Sequence, residues 1–191
     1  MDAKNLLVEL LVEELPPKAL KRISEAFTDV LFNALRRAGL VLRQEITGVR
    51  PFASPRRLGV FIPEVLAHAA DRTVAQKLMP VSVGLNAEGK ATPALLKKLA
   101  SLGADESAVA SLKRQTDGKA ETLFLDTTVK GATLADGLQR ALDEALERLP
   151  IPKVMKYQLA DGWTDVNFVR PAHALIALHG NDVVPVKALG L

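Results

Sequence analysis

Apolar residues recur every three or four positions in two long stretches of the chain and gather into short runs elsewhere. Between residues 18 and 37, Leu20, Ile23, Phe27, Val30, Leu31, Ala34 and Leu35 share one face of a 3.6-residue repeat, which predicts an amphipathic helix. Pro17 suits its first turn, Arg36 and Arg37 complement the negative end of its dipole, and Gly39 suits a left-handed cap. The same spacing returns behind an N-capping Thr133 in Leu134, Leu138, Ala141, Leu142, Ala145, Leu146 and Leu149. The intervening Asp136, Arg140, Asp143, Glu144, Glu147 and Arg148 read as its solvated face.

The shorter runs predict strands. Residues 6–11 form one, ended by Glu13-Glu14-Leu15-Pro16-Pro17. Residues 40–49 read as an extended return and 58–65 as a further strand, with the PFASPRR segment, 51–57, connecting them. From 67 to 92 periodicity is weak and Pro80, Gly84, Asn86 and Gly89 accumulate, which reads as loop and linker. Thr92 and Pro93 open a helix that runs to Gly103, and Asp105 caps a second short one ending near Leu112. Residues 121–130 have strand composition, and an Asp117-Gly118 turn suggests a hairpin partner upstream. Residues 174–178 and 183–188 flank the polar tip His179-Gly180-Asn181-Asp182 as a hairpin, with His179 as a turn residue. The expected class is α+β, two small subdomains of helices packed on mostly antiparallel sheets. The expected division is a β-α-β-β subdomain at 1–70, a linker or loop at 71–92 and a second α+β subdomain at 93–191.

Composition narrows the chemistry. With 48% hydrophobic and 25% charged residues the chain is globular, and with only 4% aromatics its core must come from Leu, Val and Ala. The absence of cysteine excludes disulfides and thiolate metal sites and fits a reducing compartment. His68, His173 and His179 lack metal-ligand spacing, and no glycine-rich phosphate loop or GxSxG frame is present, so no catalytic residue and no metal ligand is assigned. Glu9, Glu13 and Glu14 break up the apolar N-terminal run, which fits neither a signal peptide nor a spanning helix; a cytoplasmic protein without a membrane partner is expected. The apolar final residues, VVPVKALGL, read as a stop inside a longer protein. A net charge of +3 demands no nucleic-acid partner by itself, so the placement of the cations matters more than their number.

They concentrate at 149–173, LPIPKVMKYQLADGWTDVNFVRPAH, where Pro150, Pro152 and Pro171 restrict the backbone around Lys153, Lys156, Arg170 and His173. The chain's single Tyr157 and single Trp163 lie among them, a mixture suited to pairing with phosphates and stacking on bases. The same stretch also fits plain packing, with Ile151, Val154, Phe168 and Val169 as core and the cations as a solvated rim. Ser54-Pro55-Arg56-Arg57 adds two adjacent guanidinium groups, of which only one faces a given ligand if both lie in a strand. Glu13 and Glu14, beside Pro16 and Pro17, read as helix-entrance or interface residues favoured by the helix dipole.

In this order, EELPPKAL (13–20), ASPRRL (53–58), LPIPKVMKY (149–157) and FVRPAH (168–173) resemble the N-terminal part of the β subunit of bacterial glycyl-tRNA synthetase. AEGKATPA, 87–94, resembles that family's linker into the next helix. The resemblance implies a cytoplasmic α₂β₂ heterotetramer whose α subunit activates glycine with ATP and Mg²⁺, leaving no cofactor for this stretch. It implies a β subunit that recognises tRNA(Gly), with HD-type and anticodon-binding domains beyond the region matched. Leu11-Val12 stands where the family commonly has Gly-Thr, Lys77-Leu78-Met79-Pro80 replaces a KRGP signature, and Tyr157 replaces a frequent Trp. Two roles follow. In the first, Arg56, Arg57, Lys153, Lys156, Tyr157, Arg170 and His173 hold tRNA. In the second, the same motifs dock the α subunit through an interface at Glu13, Glu14, Pro16 and Pro17, with Arg170 buried against Asp161 or Asp165.

Overall fold

The computed structural model describes residues 3–86, 88–117 and 120–191. The chain divides into two compact units, one formed by 1–70 with 131–191 and the other by 71–130.

The first unit is built on β1 (Ala3–Val12), whose alternation buries Leu6, Val8, Leu10 and Val12 and leaves Leu7, Glu9 and Leu11 half-buried on the other face. The chain then turns through the double proline into α1 (Leu20–Arg37), which buries Ile23, Phe27, Leu31 and Leu35. Gly39, at φ +76°, closes this helix in a Schellman motif: its own N–H reaches Arg36 O and the Leu40 N–H reaches Leu35 O, both at 3.0 Å. β2 (Arg50–Ser54) and β3 (Arg57–Leu66) form an antiparallel hairpin around Pro55-Arg56.

The unit resumes with α4 (Leu134–Glu147), where Thr133 Oγ1 accepts the Asp136 N–H at 3.1 Å. It continues through β7 (Met155–Gln158), β8 (Asp165–Phe168), β9 (Ala172–His179) and β10 (Asp182–Val183). The large sheet has the order β10-β9-β1-β3-β2, antiparallel throughout, while β7 and β8 pair only with each other. Helices α1 and α4 pack together and share one core with the sheet's inner face and with Val166, Phe168 and Val169. A carboxylate expected on the solvated face of α4 ties the helices: Glu144 accepts from Arg37 Nη2 at 2.7 and 2.9 Å.

The second unit holds β4 (Arg72–Pro80), the short α2 (Val81–Gly84), α3 (Pro93–Ser101), a 3-10 turn at Glu106–Ser111, β5 (Lys113–Asp117) and β6 (Ala120–Val129). Its sheet order is β4-β6-β5, and Leu95, Leu99, Leu123 and Leu125 form its core. Thr92 caps α3 and Asp105 caps the 3-10 turn, as expected. The expected Asp117-Gly118 turn falls on residues outside those described.

The α+β class stands, and several boundaries move. Residues 71–92, read as linker, contain β4 and α2, and 131–191 joins 1–70 because β9 pairs with β1. The strand expected at 40–49 is reduced to one bridge, Val41 to Val65, whereas the PFAS segment read as a connection is β2. His179 is no simple turn residue: it is 5% exposed and its Nε2 donates to Val65 O at 2.8 Å.

Candidate functional site

The motifs singled out in the sequence meet at one end of the large sheet through their backbones. The Val12 N–H donates to Arg56 O at 3.1 Å, the Leu15 N–H to Pro55 O at 2.5 Å and the Glu13 N–H to Pro171 O at 3.0 Å. Leaving β1, the EELPP segment is thereby clamped between the β2–β3 turn and the start of β9. Prolines favour this arrangement, since they supply carbonyl acceptors at fixed φ and ask for no donor's partner in return.

Beside the clamp lies a cleft of about 370 Å³. Leu15, Pro16, Pro17, Pro152, Met155 and Val169 give it apolar walls, and Glu14, Lys153 and Arg170 bring charge to it. A second, more open depression continues from it over Pro16, Pro17 and Pro152 to Lys18 and Arg22. Lys153, Lys18 and Arg22 thus extend a basic strip beyond Arg170, while Glu14 is the single carboxylate lining the two depressions. Lys18, which precedes α1, and Arg22, in its first turn, were not singled out in the sequence; their KxxxR spacing was the available signal.

The sequence-derived residues separate by what they already bind. Arg56, Lys153 and His173 are exposed, and among the described residues their side chains have neither a hydrogen-bond nor an ion-pair partner. Arg170 is exposed too, and among the described residues its guanidinium meets only the Met155 sulfur, at 3.6 Å. It is paired with neither Asp161 nor Asp165, contrary to the contact expected for a docking role. Asp161 is occupied by its own loop and Asp165 by Lys156, at 2.7 Å. Arg57 reaches Glu9 at 3.6 Å, and since Glu9 is only 15% exposed this guanidinium offsets a largely covered charge. Tyr157 packs against the core and its hydroxyl accepts the Ala172 N–H at 3.3 Å, so it serves the join between hairpin and sheet.

Arg56 and Arg57 do not compete for one strand face. Arg56 sits in the turn and Arg57 opens β3, and both line a shallow depression with Glu9, Leu11 and Phe52, separate from the proline cleft. Glu13 and Glu14 are exposed and lie too early in the chain to serve the α1 dipole, whose first turn contains no acidic residue. Leu11 and Val12, the departures from Gly-Thr, belong to β1, with Val12 2% exposed in the core. Among the described residues no group of His, Cys, Asp or Glu has the arrangement to hold a metal ion, and no helix is long and apolar enough to cross a membrane.

The first unit is an α+β module that carries an apolar, proline-walled cleft edged by the exposed cations Lys153 and Arg170. Residues 6–191 match the family described as glycyl-tRNA synthetase beta subunit, and the chain belongs to that family. It is 67% identical over 191 residues to the glycine–tRNA ligase beta subunit of Leptothrix cholodnii, covering 100% of this chain and 26% of that protein. It is 64% identical over 193 residues to the corresponding subunit of Methylobacillus flagellatus, covering 98% of this chain and 27% of that one. The Janthinobacterium subunit is 63% identical over 191 residues, again with 100% of this chain and 27% of the relative. The chain therefore spans about a quarter of the length of these relatives.

Proposed function

We propose that this region holds tRNA for a glycine–tRNA ligase, working in the cytoplasm beside a catalytic α subunit that activates glycine with ATP and Mg²⁺ in an α₂β₂ assembly. The observation that carries the reading is the strip of cations around the proline cleft. Lys153 and Arg170 lack carboxylate partners among the described residues and stand where the EELPP, IPKVM and FVRP segments converge. A cation already spent on a buried carboxylate gains little from a phosphate, whereas an exposed unpaired one releases condensed counterions when it meets the RNA backbone. Arg56 and His173 are supporting contacts, and Lys18 with Arg22 extends the track. Lys156 and Arg57 contribute less, because each must leave a carboxylate first.

The test is a titration of tRNA(Gly) and a non-cognate tRNA at several salt concentrations, with Lys153→Ala and Arg170→Ala alongside. Each substitution should weaken binding and lower the slope of log K against log salt by about 1, leaving the melting temperature in place. Unchanged binding by both folded variants at low salt would sink the reading.

A further inference from the structure

The β7–β8 hairpin ends in a loop, 159–164, arranged to hold one side chain out. Asp161 Oδ1 accepts the N–H groups of Trp163 and Thr164, both at 2.9 Å, and Asp161 Oδ2 accepts the Thr164 hydroxyl at 2.5 Å. The Leu159 N–H closes the loop on Thr164 O at 2.8 Å, and Gln158 Nε2 ties down Gly162 O at 2.7 Å. Gly162 supplies the left-handed turn, at φ +76°. At its base the hairpin is anchored by Val166 and Phe168 in the core. The backbone on both sides of Trp163 is thus fixed, yet its indole is 89% exposed.

Leaving the largest apolar side chain in water forfeits the burial that usually justifies it, and holding it on an ordered loop removes in advance the entropy cost of binding through it. Such anchors dominate protein interfaces. Charge decides the kind of partner. Lys156 is spent on Asp165, and Asp161 has no cation partner among the described residues, so the tip presents an uncompensated carboxylate beside the indole. Hydrogen bonds from the Thr164 side chain and from the Thr164 and Trp163 backbone hold that carboxyl below its ordinary range, so it is ionised at neutral pH. An anionic tip repels a phosphate backbone and suits a pocket edged by Lys or Arg.

We infer that the β7–β8 hairpin is a docking finger that seats Trp163 in an apolar, cation-rimmed pocket of a protein partner, the other subunit of the ligase. The inference rests on the chain's β-subunit family and is independent of RNA contact at the proline cleft.

The experiment measures affinity of the full chain for the α subunit and, separately, for tRNA(Gly), using wild type, Trp163→Ala and Trp163→Phe. Because Trp163 is the chain's one tryptophan, 5-fluorotryptophan incorporation places a single ¹⁹F resonance at the site. Trp163→Ala should weaken α-subunit binding at least about tenfold with melting temperature and tRNA affinity unmoved, and Trp163→Phe should recover most of the loss. The resonance should shift on adding α subunit and stay in place on adding tRNA. No binding of wild type to α subunit, unchanged affinity in Trp163→Ala, or a resonance that moves with tRNA instead would each overturn it. Loss of tRNA binding in the cleft variants leaves these readouts untouched, so the two proposals fail separately.

Discussion

His179 shows how a single position turns on strand parity. It opposes Leu6, a core residue, so its ring faces inward although the next residues form a turn. Polar composition at a hairpin tip hid this, because a β-hairpin signal says where the chain reverses and not which face the last strand residue uses. Replacing His179 with Leu keeps bulk and deletes the donor to Val65 O, and should cost roughly 1–3 kcal/mol, read as a lower urea midpoint at unchanged m-value. Three exposed carboxylates give a second residue-level expectation. Asp105 is lowered by hydrogen bonds from Ser107, Asp161 by those from Thr164 and Trp163, and Asp182 by the hydrogen bond and charge of Lys4. A carboxyl whose folded pKa lies below its ordinary 3.8 contributes stability that is present above that value and lost as pH falls through the lowered one. Acid titration should therefore show that loss only below about pH 4, and Asp161→Ala, which deletes both carboxylate acceptors, should remove its share together with the ordering of the Trp163 resonance. The sequence identified Lys153, Arg170 and Arg56 as cations but carried no sign of which cations already had partners: Arg57 and Lys156 are occupied by Glu9 and Asp165 from other segments of the chain.

At the scale of elements, legibility followed burial. α1, α3 and α4 each bury one face, with Thr92 and Thr133 capping the starts of α3 and α4 and Gly39 closing the end of α1, so period and capping residues located them. β2 is exposed at every position and β4 is mostly exposed, so neither has an alternating pattern to read. They exist because β3 and β6 supply ladders to edge strands, and that information lies in the partner. The cap of α4 is correspondingly testable. Thr133 accepts the Asp136 N–H and donates its hydroxyl to the Asp136 carboxylate at 2.8 Å, so Thr133→Ala should lower stability by about 1 kcal/mol in urea unfolding, with Thr133→Ser near wild type. The candidate site depends on elements in the same way: its motifs were visible as short strings, but their convergence required β1, the β2–β3 turn and β9 to be neighbours.

For the whole molecule, the sequential division failed because β1 takes its second neighbour from the far end of the chain, with Leu6 opposite His179. The 71–130 unit interrupts a module that closes without it. On either side of the interruption the chain is bonded to itself: the Ala69 N–H to Ala132 O at 2.9 Å, the Leu134 N–H to Ala67 O at 2.8 Å, and His68 bridged to Thr133. A Cβ on Gly131 would stand 1.8 Å from Ala69 O, so Gly131→Ala should open this junction and lower the melting temperature measurably. Joining Ala70 to Gly131 through a few glycines should leave the remaining unit folded, with a single cooperative transition and the Trp163 resonance in place. The junction works as a socket. A chain that departs and returns at one hydrogen-bonded point pays closure entropy only logarithmically, roughly 0.6 kcal/mol for each doubling of what it carries. Sequence drift, expansion or wholesale exchange of the 71–130 cassette is thereby nearly decoupled from the folding of the sheet that carries the proline cleft, and this is where lineage-to-lineage variation in length should collect.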